Sequence, residues 1–252
     1  MSNSVERFST RVDNYVRYRP GYPPEIIETL KTECGLTPES VIADLGSGTG
    51  NLAKLFLENG NTVLGVEPNA GMRQAAEAFF KDNENFRSVT GTAEATLLPN
   101  GSVDFVTAGQ AFHWFDPAQA KTECTRILKS GGWAVLVWNE RLVDTTPFLR
   151  DYEALLLRYS IDYPVVRHEN AENAIADFFA LGAPTLAIFP NTQKFDFEGL
   201  KGRVLSSSYT PETGHPKFEP MLSELRQIFD RHEQSGKVNF DYDTKLYYGH
   251  LD

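Results

Sequence analysis

Short apolar runs alternate with helical patterns through the first half of the chain. The run Val41–Ala43 predicts a buried strand that ends on Asp44, and Leu52, Leu55 and Phe56 recur at helical spacing soon after it. The same reading predicts further strands over residues 62–66, 85–90, 102–108 and 133–138, a turn at 129–132, and helices over 24–34, 51–58, 69–81 and 117–128. Strands separated by single helices are typical of a parallel α/β sheet.

After residue 140 the pattern changes. Two helical segments with apolar stripes, over 147–160 and 171–181, follow each other without a strand between them, which we interpret as an inserted cap rather than a linker. Then come a strand over 186–197 that is interrupted near Pro190, helices over 199–205 and 218–233, and an alternating strand over 237–248. The last two strands suit an antiparallel hairpin at a sheet edge.

These patterns predict one domain over residues 1–252. Its parts are an N-terminal arm and helix (1–37), a cofactor-binding core (38–140), a helical cap insertion (141–183) and C-terminal strands and helices (184–252).

Composition narrows the function classes. The 252 residues carry a net charge of −10, which argues against a surface that tracks nucleic-acid phosphates, although the acidity can also serve solubility alone. No run reaches about 18 apolar residues, and the first 20 residues lack the apolar centre of a signal peptide. Cys34 and Cys124 have no metal-type spacing. We therefore expect a cytoplasmic monomer or homodimer with a small-molecule partner, no nucleic-acid or membrane partner and no metal.

The loop after the first strand carries the main chemical signal. Gly46, Gly48 and Gly50 lead into a helix, and a second strand ends on Glu67, which is the layout of a nucleoside-binding βαβ unit. The third glycine comes one residue too early for the dinucleotide fingerprint. Asp44 would repel a pyrophosphate but suits an ammonium group, and Glu67 is placed to accept ribose hydroxyls. S-adenosylmethionine has a ribose, a cationic amino-acid end and no pyrophosphate, so it fits.

The segment Asp44–Gly50 resembles the first motif of class I S-adenosylmethionine-dependent methyltransferases with a methyltransferase type 11 domain. This resemblance implies an α/β Rossmann-like class I methyltransferase fold: a seven-stranded, mostly parallel sheet with an antiparallel edge strand and a helical cap. It also implies an adenine contact from Met72, which could equally be core filler, and one near Ala93, where Thr92 replaces the customary Asp. The expected cofactor-binding residues are Tyr15, Arg19, Asp44, Gly46, Ser47, Gly48, Gly50, Glu67, Pro68, Met72, Thr92, Ala93, Glu94 and Gln110.

Three further segments resemble the trans-aconitate methyltransferase-like subgroup. They are the arm that runs from Tyr15 to Pro23, the stretch from Gly199 to Tyr209 and the segment from Tyr242 to Tyr247. The resemblance implies that Arg19, Arg203 and Tyr209 act on the acceptor side, near His113, because an arginine fork pairs a carboxylate well. The alternatives are an amphipathic arm packed on the core and a helix with a serine-rich end.

His113 lies in an aromatic hexapeptide directly after the fourth predicted strand. It could be a general base, a hydrogen-bond donor to substrate or a structural histidine. The expected catalytic residues are His113, Arg19, Arg203 and Tyr209. The expected function is methylation of a small molecule by S-adenosylmethionine, with carboxyl O-methylation of a small acid as the specific hypothesis. The alternatives are a natural-product O-, N- or C-methyltransferase and a catalytically silent binding protein.

Overall fold

The computed structural model describes residues 18–161, 163, 172–179, 184–207 and 209–251. The predictions for Tyr15 and for the remaining residues of the predicted cap, 162, 164–171 and 180–183, lie outside the described residues.

The helices and strands alternate through the first half of the chain, as the pattern predicts. The helices are α1 (Glu25–Cys34), α2 (Asn51–Glu58), α3 (Ala70–Phe79), α4 (Pro117–Ile127), α5 (Pro147–Tyr159), α6 (Glu172–Phe179), α7 (Phe197–Leu205) and α8 (Phe218–His232). The strands are β1 (Val41–Leu45), β2 (Thr62–Val66), β3 (Phe86–Val89), β4 (Val103–Gly109), β5 (Leu128–Arg141), β6 (Thr185–Phe195) and β7 (Val238–Gly249). Most observed ends lie within two residues of the predicted ones.

The seven strands form one sheet in the order β3-β2-β1-β4-β5-β7-β6. The strands β1 to β5 pair in parallel, and the sheet is mostly parallel with an antiparallel edge. Asp44 pairs with Gly65 on one side and with Thr107 on the other, so β1, β2 and β4 end at the same level. The predicted fold class is confirmed, and the carboxyl ends of these central strands converge on one edge, where ligands bind in open α/β sheets.

The chain divides into two compact units. The larger unit contains the described residues 21–139, 172–179, 184–189 and 244–251, and the smaller unit contains 18–20, 140–161, 163, 190–207 and 209–243. Three boundaries between them fall inside β5, β6 and β7, and another lies between residues 20 and 21. Helix α5 belongs to the smaller unit and α6 to the larger one, so the two helices of the predicted cap are divided between the units.

The larger unit has an apolar core on each face of its strands. Successive strand residues point to opposite faces, so Ile42 joins one core while Ala43 and Leu45 join the other. Helices α1, α2 and α3 contribute to the core that contains Ile42, and α4 and α6 contribute to the core that contains Ala43. The buried strands therefore read as apolar runs rather than as alternating patterns.

The smaller unit has a core of its own. Apolar residues of α5, α7 and α8 pack there with aromatic side chains of β6 and β7, among them Phe195, Phe240 and Tyr242. Helix α5 packs against α8. No helix in the described part of the chain is long and apolar enough to cross a membrane.

The predicted interruption of the sixth strand at Pro190 is wrong. Strand β6 runs without a break from Thr185 to Phe195 and includes Pro190. It is the last strand in the sheet order, and an edge strand tolerates a proline because one side of its backbone needs no ladder partner.

The predicted turn at residues 129–132 is also wrong, since β5 already begins at Leu128. Val103 pairs with Leu128 and Phe105 with Trp133, so the intervening residues of β5 outnumber those of β4 and form a bulge. Gly131 lies in this bulge with φ of 75°, a conformation that favours glycine. The Lys-Ser-Gly-Gly sequence therefore marks a bulge rather than the end of a connection.

The N-terminus of α5 offers a test of the smaller unit. The Thr146 side chain accepts a hydrogen bond of 3.1 Å from the Leu149 backbone N–H, and Pro147 follows as the first helical residue. We expect Thr146→Ala to lower the free energy of unfolding by about 1 kcal/mol, because a helix N–H loses its partner. Thr146→Ser keeps the hydroxyl and should keep most of the stability in a urea titration. Equal losses in both variants would contradict the capping role.

Candidate functional site

The loop between β1 and α2 turns through three glycines with positive φ. The φ angles are 63° at Gly46, 57° at Gly48 and 90° at Gly50, all in the left-handed region where a Cβ is unfavourable. The Gly46 N–H donates to the Val66 carbonyl at 2.8 Å, so the loop starts against the end of β2. The sequence of glycines is therefore required by the backbone path itself.

The three glycines have different surroundings. A Cβ on Gly46 would lie 2.7 Å from the Ala111 Cβ, and one on Gly50 would lie 2.3 Å from the Phe80 ring. For Gly48 the nearest atom among the described residues would be a backbone oxygen at 4.0 Å. Gly46 and Gly50 thus permit close packing within the protein, whereas the open side of the loop is at Gly48. All three glycines are expected cofactor-binding residues, and those contacts stay predictions.

Glu67 connects this loop to the next helix. Its Oε2 accepts a hydrogen bond of 3.0 Å from the Gly48 N–H, and its Oε1 accepts one of 2.8 Å from the Asn69 N–H. The side chain is buried, with 8% exposed, and burial raises its pKa while the two N–H groups oppose that rise. A carboxylate has about four acceptor positions, so Glu67 can still accept hydrogen bonds from a ligand.

Asp44 is a buried carboxyl group with an incomplete set of partners. Its Oδ1 accepts a hydrogen bond of 2.9 Å from the Thr107 hydroxyl, whereas no described residue makes a hydrogen bond of ordinary geometry to its Oδ2; the nearby Ala53 N–H only partly opposes the rise in the pKa of Asp44. Only 1% of the residue is exposed, and burial raises its pKa to about 7. The Thr49 hydroxyl is likewise buried and without a partner in that part of the chain. An orphaned carboxylate oxygen fits a ligand with a cationic group.

The other predicted adenine-side residues are near the ends of β2 and β3. Met72 is buried in α3, where its N–H donates to the N-cap Asn69 side chain at 3.1 Å. Ala93 is buried in the apolar core, Thr92 is exposed, and the backbones of Thr92 and Ala95 pair through two hydrogen bonds. The adenine contacts of these residues stay predictions.

Pro68 and Glu94 support local structure. The exposed Pro68 offers its carbonyl to Arg73 Nη1 at 2.9 Å. Glu94 Oε1 accepts a hydrogen bond of 2.8 Å from the Asp116 N–H, so Glu94 holds the start of α4. Ser47 donates its backbone N–H to the Val66 carbonyl at 3.2 Å. Their cofactor contacts also stay predictions.

The carboxyl end of β4 carries a strained residue. Gln110 has φ of 57°, which is uncommon for a residue with a Cβ and clusters at functional sites. Its N–H donates to the Val137 carbonyl at 3.0 Å, and its side-chain amide donates to the Asn139 carbonyl at 2.9 Å. These bonds fix the end of β4 to the end of β5.

Asn139 is a site residue that the sequence argument missed. It is buried, donates to the Gly21 carbonyl at 3.1 Å and accepts from the Thr244 hydroxyl at 2.5 Å. The available signal was a lone amide at the end of the apolar run of β5. Thr107, which holds Asp44, was missed for the same reason: it is a short polar residue inside an apolar strand.

His113 lies in the short 3₁₀ helix Phe112–Trp114 that follows β4. Its ring centroid is 4.7 Å from that of Trp114 and 6.4 Å from that of Trp138. The imidazole is half-buried, and 41% of Trp114 is exposed. The predicted position of His113 at a strand end among aromatic residues is confirmed, and its catalytic role stays a prediction.

The remaining predicted catalytic residues belong to the smaller unit. Arg203 is buried, and its guanidinium donates to the Tyr242 hydroxyl at 3.2 Å and to the Ser207 hydroxyl at 3.1 Å. Among the residues that the structure describes, it pairs with no carboxylate. Arg19 donates to the Ser206 carbonyl at 3.2 Å.

The Tyr209 ring lies 4.8 Å from the Tyr163 ring, also within the smaller unit. His113 belongs to the larger unit, so a meeting of Arg203 and Tyr209 with His113 stays a prediction. The described residues contain no group of three His, Cys, Asp or Glu side chains that could hold a metal ion.

Residues 43–136 match the family described as "Methyltransferase domain". An uncharacterized methyltransferase of Mycobacterium tuberculosis is 40% identical over 53% of this chain and 52% of its own length. An uncharacterized methyltransferase-like protein of Schizosaccharomyces pombe is 29% identical over 96% of this chain and 94% of its own. The chain spans about half the length of the first curated relatives that it matches.

Solved structures share the fold at low identity. A protein of Anaeromyxobacter dehalogenans assigned as a type II methyltransferase is 18% identical, with a TM-score of 0.65 over 93% of this chain and 98% of that one. A methyltransferase structure from Anabaena variabilis, assigned to an antibiotic biosynthesis pathway, is 20% identical, with a TM-score of 0.62 over 93% and 99%. The chain therefore shares the Rossmann-like fold of these two structures, and its residues 43–136 match the methyltransferase domain family.

The raised pKa of Asp44 leads to a test of the site without any ligand. A carboxyl group whose pKa is about 7 in the folded state, against about 3.9 when unfolded, binds more protons in the folded state between these values. The contribution of Asp44 to stability therefore falls as the pH rises from about 4 to 7. Asp44→Asn stays neutral, so we expect it to melt at a higher temperature than the wild type at pH 8, with a smaller difference at pH 5.

The control for this comparison is Asp82→Asn, which removes one negative charge from a side chain that is 89% exposed. It should leave the melting temperature nearly unchanged at both pH values. A difference between Asp44→Asn and the wild type that is equal at pH 5 and pH 8 would contradict the assignment of a buried, charged carboxylate.

Proposed function

We propose that the protein is an S-adenosylmethionine-dependent methyltransferase that acts on a small carboxylic acid and methylates a carboxylate oxygen. The choice of cofactor is supported by the match to a methyltransferase domain and by the two acidic residues at the ends of β1 and β2, Asp44 and Glu67. The observation that carries the choice of acceptor is the buried Arg203, which has no carboxylate partner among the described residues. A buried cation is costly unless an anion accompanies it, so a carboxylate ligand would complete the site.

Asp44, Glu67 and the open backbone at Gly48 are the residues that would hold the cofactor. Glu67 would accept hydrogen bonds from the ribose hydroxyls, and the unpartnered Asp44 Oδ2 would accept one from the ammonium group. When bound, the cofactor supplies an electrophilic methyl group on a cationic sulfur, which leaves as a neutral thioether. The protein's own task is then to align the acceptor and to exclude water.

The choice of acceptor determines what His113 has to do. A carboxylate oxygen is unprotonated and nucleophilic at neutral pH, so His113 would only position the acid by a hydrogen bond or a ring contact. A hydroxyl acceptor would need a general base, and His113 at the end of β4 is the available group. The aromatic surroundings of His113 favour this second candidate, a natural-product hydroxyl methyltransferase.

A methyl-transfer assay separates these candidates. Purified protein is incubated with methyl-labelled S-adenosylmethionine and a panel of small acids, phenols, alcohols and amines. Label in a base-labile methyl ester supports the proposed acid acceptor, and label in a methyl ether supports the second candidate. Binding of the cofactor with no transfer to any compound would favour a catalytically silent binding protein.

The proposed cofactor site can be tested at Glu67. Glu67→Ala should weaken S-adenosylmethionine binding at least about tenfold, because a hydrogen bond to a charged group contributes about 1.5–3 kcal/mol. Isothermal titration calorimetry measures the dissociation constant, and circular dichroism checks the fold. The control is Glu58→Ala on α2, where the side chain is 63% exposed. An unchanged dissociation constant for Glu67→Ala would remove Glu67 from the cofactor site.

The proposed carboxylic-acid acceptor can be tested at Arg203. Arg203→Met keeps an unbranched side chain against the Phe240 ring but removes the charge. We expect kcat/KM for the acid to fall by about thirtyfold or more, which corresponds to about 2 kcal/mol, while cofactor affinity is unchanged. The control is Lys201→Met on the same helix. Wild-type efficiency of Arg203→Met with the true acceptor would overturn the carboxylic-acid proposal.

A further inference from the structure

The Tyr152 hydroxyl is buried without a partner. Only 1% of Tyr152 is exposed, and its hydroxyl forms no hydrogen bond among the described residues. Two neighbouring tyrosines show the ordinary arrangement: Tyr163 donates to Glu153 at 2.8 Å, and Tyr242 donates to Gln193 at 2.9 Å. Buried hydroxyls are almost always hydrogen-bonded, so the exception at Tyr152 needs a physical reason.

Two guanidinium groups belong to the surroundings of Tyr152. The Arg141 guanidinium lies over the Tyr152 ring, and the Phe240 ring contacts both the Tyr152 ring and the Arg203 guanidinium. The Tyr152 and Phe240 ring centroids are 4.9 Å apart, and the guanidinium carbon of Arg203 is 5.4 Å from the Phe240 centroid. The guanidinium carbon of Arg141 is 5.2 Å from the Tyr152 centroid and 5.9 Å from that of Phe240. We call these four residues, Arg141, Tyr152, Arg203 and Phe240, the Phe240 cluster.

The charges of the cluster are not balanced by its described neighbours. Arg141 Nη2 donates to the Glu153 carboxylate and, at 2.7 Å, to the Tyr163 hydroxyl, while its Nη1 is buried and has no partner in the described part of the chain. Among the residues that the structure describes, Arg203 donates only to the hydroxyls of Tyr242 and Ser207. Glu153 pairs with Arg141 and, within the described ranges, no carboxylate pairs with Arg203, so the charge of Arg203 is unbalanced there.

The unpartnered groups of the cluster are all hydrogen-bond donors. Burial raises the pKa of Tyr152, so its hydroxyl keeps its proton and can donate. The free nitrogen of Arg141 can only donate, and so can every nitrogen of Arg203. Donors that surround an excess positive charge match an oxyanion, whose oxygens only accept. A buried water could satisfy the hydroxyl but would leave the charge unbalanced.

We propose that Tyr152, Arg141 and Arg203 form an oxyanion subsite that anchors the acidic group of the methyl acceptor. This inference rests on the proposed function for the identity of the ligand, but the subsite itself is defined by the residues of the smaller unit. Tyr152 donates one hydrogen bond to the anion, and the two arginines supply the charge. The shared chemistry is that of a carboxylate or a phosphate.

The test uses direct binding to the full chain in the absence of S-adenosylmethionine. Isothermal titration and thermal melts are recorded with succinate, with inorganic phosphate and with the neutral analogue succinamide. We expect succinate to bind and to raise the melting temperature, and succinamide to do neither. Phosphate binding of equal strength would assign a general oxyanion site, whereas succinate binding alone would assign a carboxylate site.

The decisive variant is Tyr152→Phe, which keeps the ring that packs against Phe240 and removes only the hydroxyl. We expect succinate affinity to fall about tenfold or more, because one charge-assisted hydrogen bond is lost. The ligand-free variant should melt at the wild-type temperature or above, since the removed group had no partner. If the hydroxyl instead stabilises the fold, directly or through a bound water, Tyr152→Phe should melt at a lower temperature than the wild type.

The matched control is Tyr159→Phe on the same helix, whose hydroxyl donates to Glu224 at 2.9 Å outside the cluster. It should keep wild-type affinity for succinate. If neither anion binds the wild type, or if Tyr152→Phe binds succinate as the wild type does, the subsite is wrong. If the subsite proposal fails in this way but the protein still methylates small acids, the proposed function remains supported. Anion binding without transfer to any acid would remove the proposed function and keep the subsite.

Discussion

The carboxylate of Glu67 is the interaction on which the larger unit's site depends. Through two backbone N–H groups it holds the glycine loop after β1 and the start of α3 against the end of β2. Parallel pairing brings β1, β2 and β4 to the same edge, and Glu67 then fixes the loops that leave that edge. Because the same oxygens retain acceptor positions, one side chain can both order the loop and face a ligand.

Two buried charges of opposite sign stand out against the rest of the protein. Asp44 lies in the larger unit and Arg203 in the smaller one, and neither has an ion-pair partner among the described residues. The other buried charges of the described residues have fuller sets of partners: Glu67 accepts from two backbone N–H groups, and Arg141 pairs with Glu153. Buried charges without counterions lower stability. This cost is the common basis of the two proposals, a cationic ligand group at Asp44 and an anionic one at Arg203.

Sequence patterns were sufficient for the elements and for the βαβ unit, because buried parallel strands are apolar throughout and the glycine loop has its own spacing. They failed where local composition and tertiary context conflict. Pro190 suggested a break, but the edge position of β6 tolerates it, and the Lys-Ser-Gly-Gly segment suggested a turn but forms a bulge. Whether a strand is at an edge depends on pairings that a single sequence does not contain.

Only part of the candidate site could be predicted from the sequence. Asp44, Gly48 and Glu67 follow from their places at strand ends. Thr107 and Asn139 are polar residues within the buried stretches of β4 and β5, and they become meaningful only through their contacts. The Tyr152 hydroxyl gave no signal at all, since a tyrosine on an apolar helix face reads as core. Unsatisfied donors are a property of packing and cannot be read from spacing.

The buried Asp44 would also make the binding of a cationic ligand depend on pH and on the buffer. With a pKa of about 7, roughly half of these carboxyl groups carry a proton at neutral pH, and an arriving ammonium group would expel it. Uptake of a cationic ligand would therefore release protons to the buffer. The measured heat would vary with the ionisation enthalpy of that buffer, and occupancy would rise with pH up to about 7, while the ligand's α-amino group, with a pKa of about 8, still carries its proton.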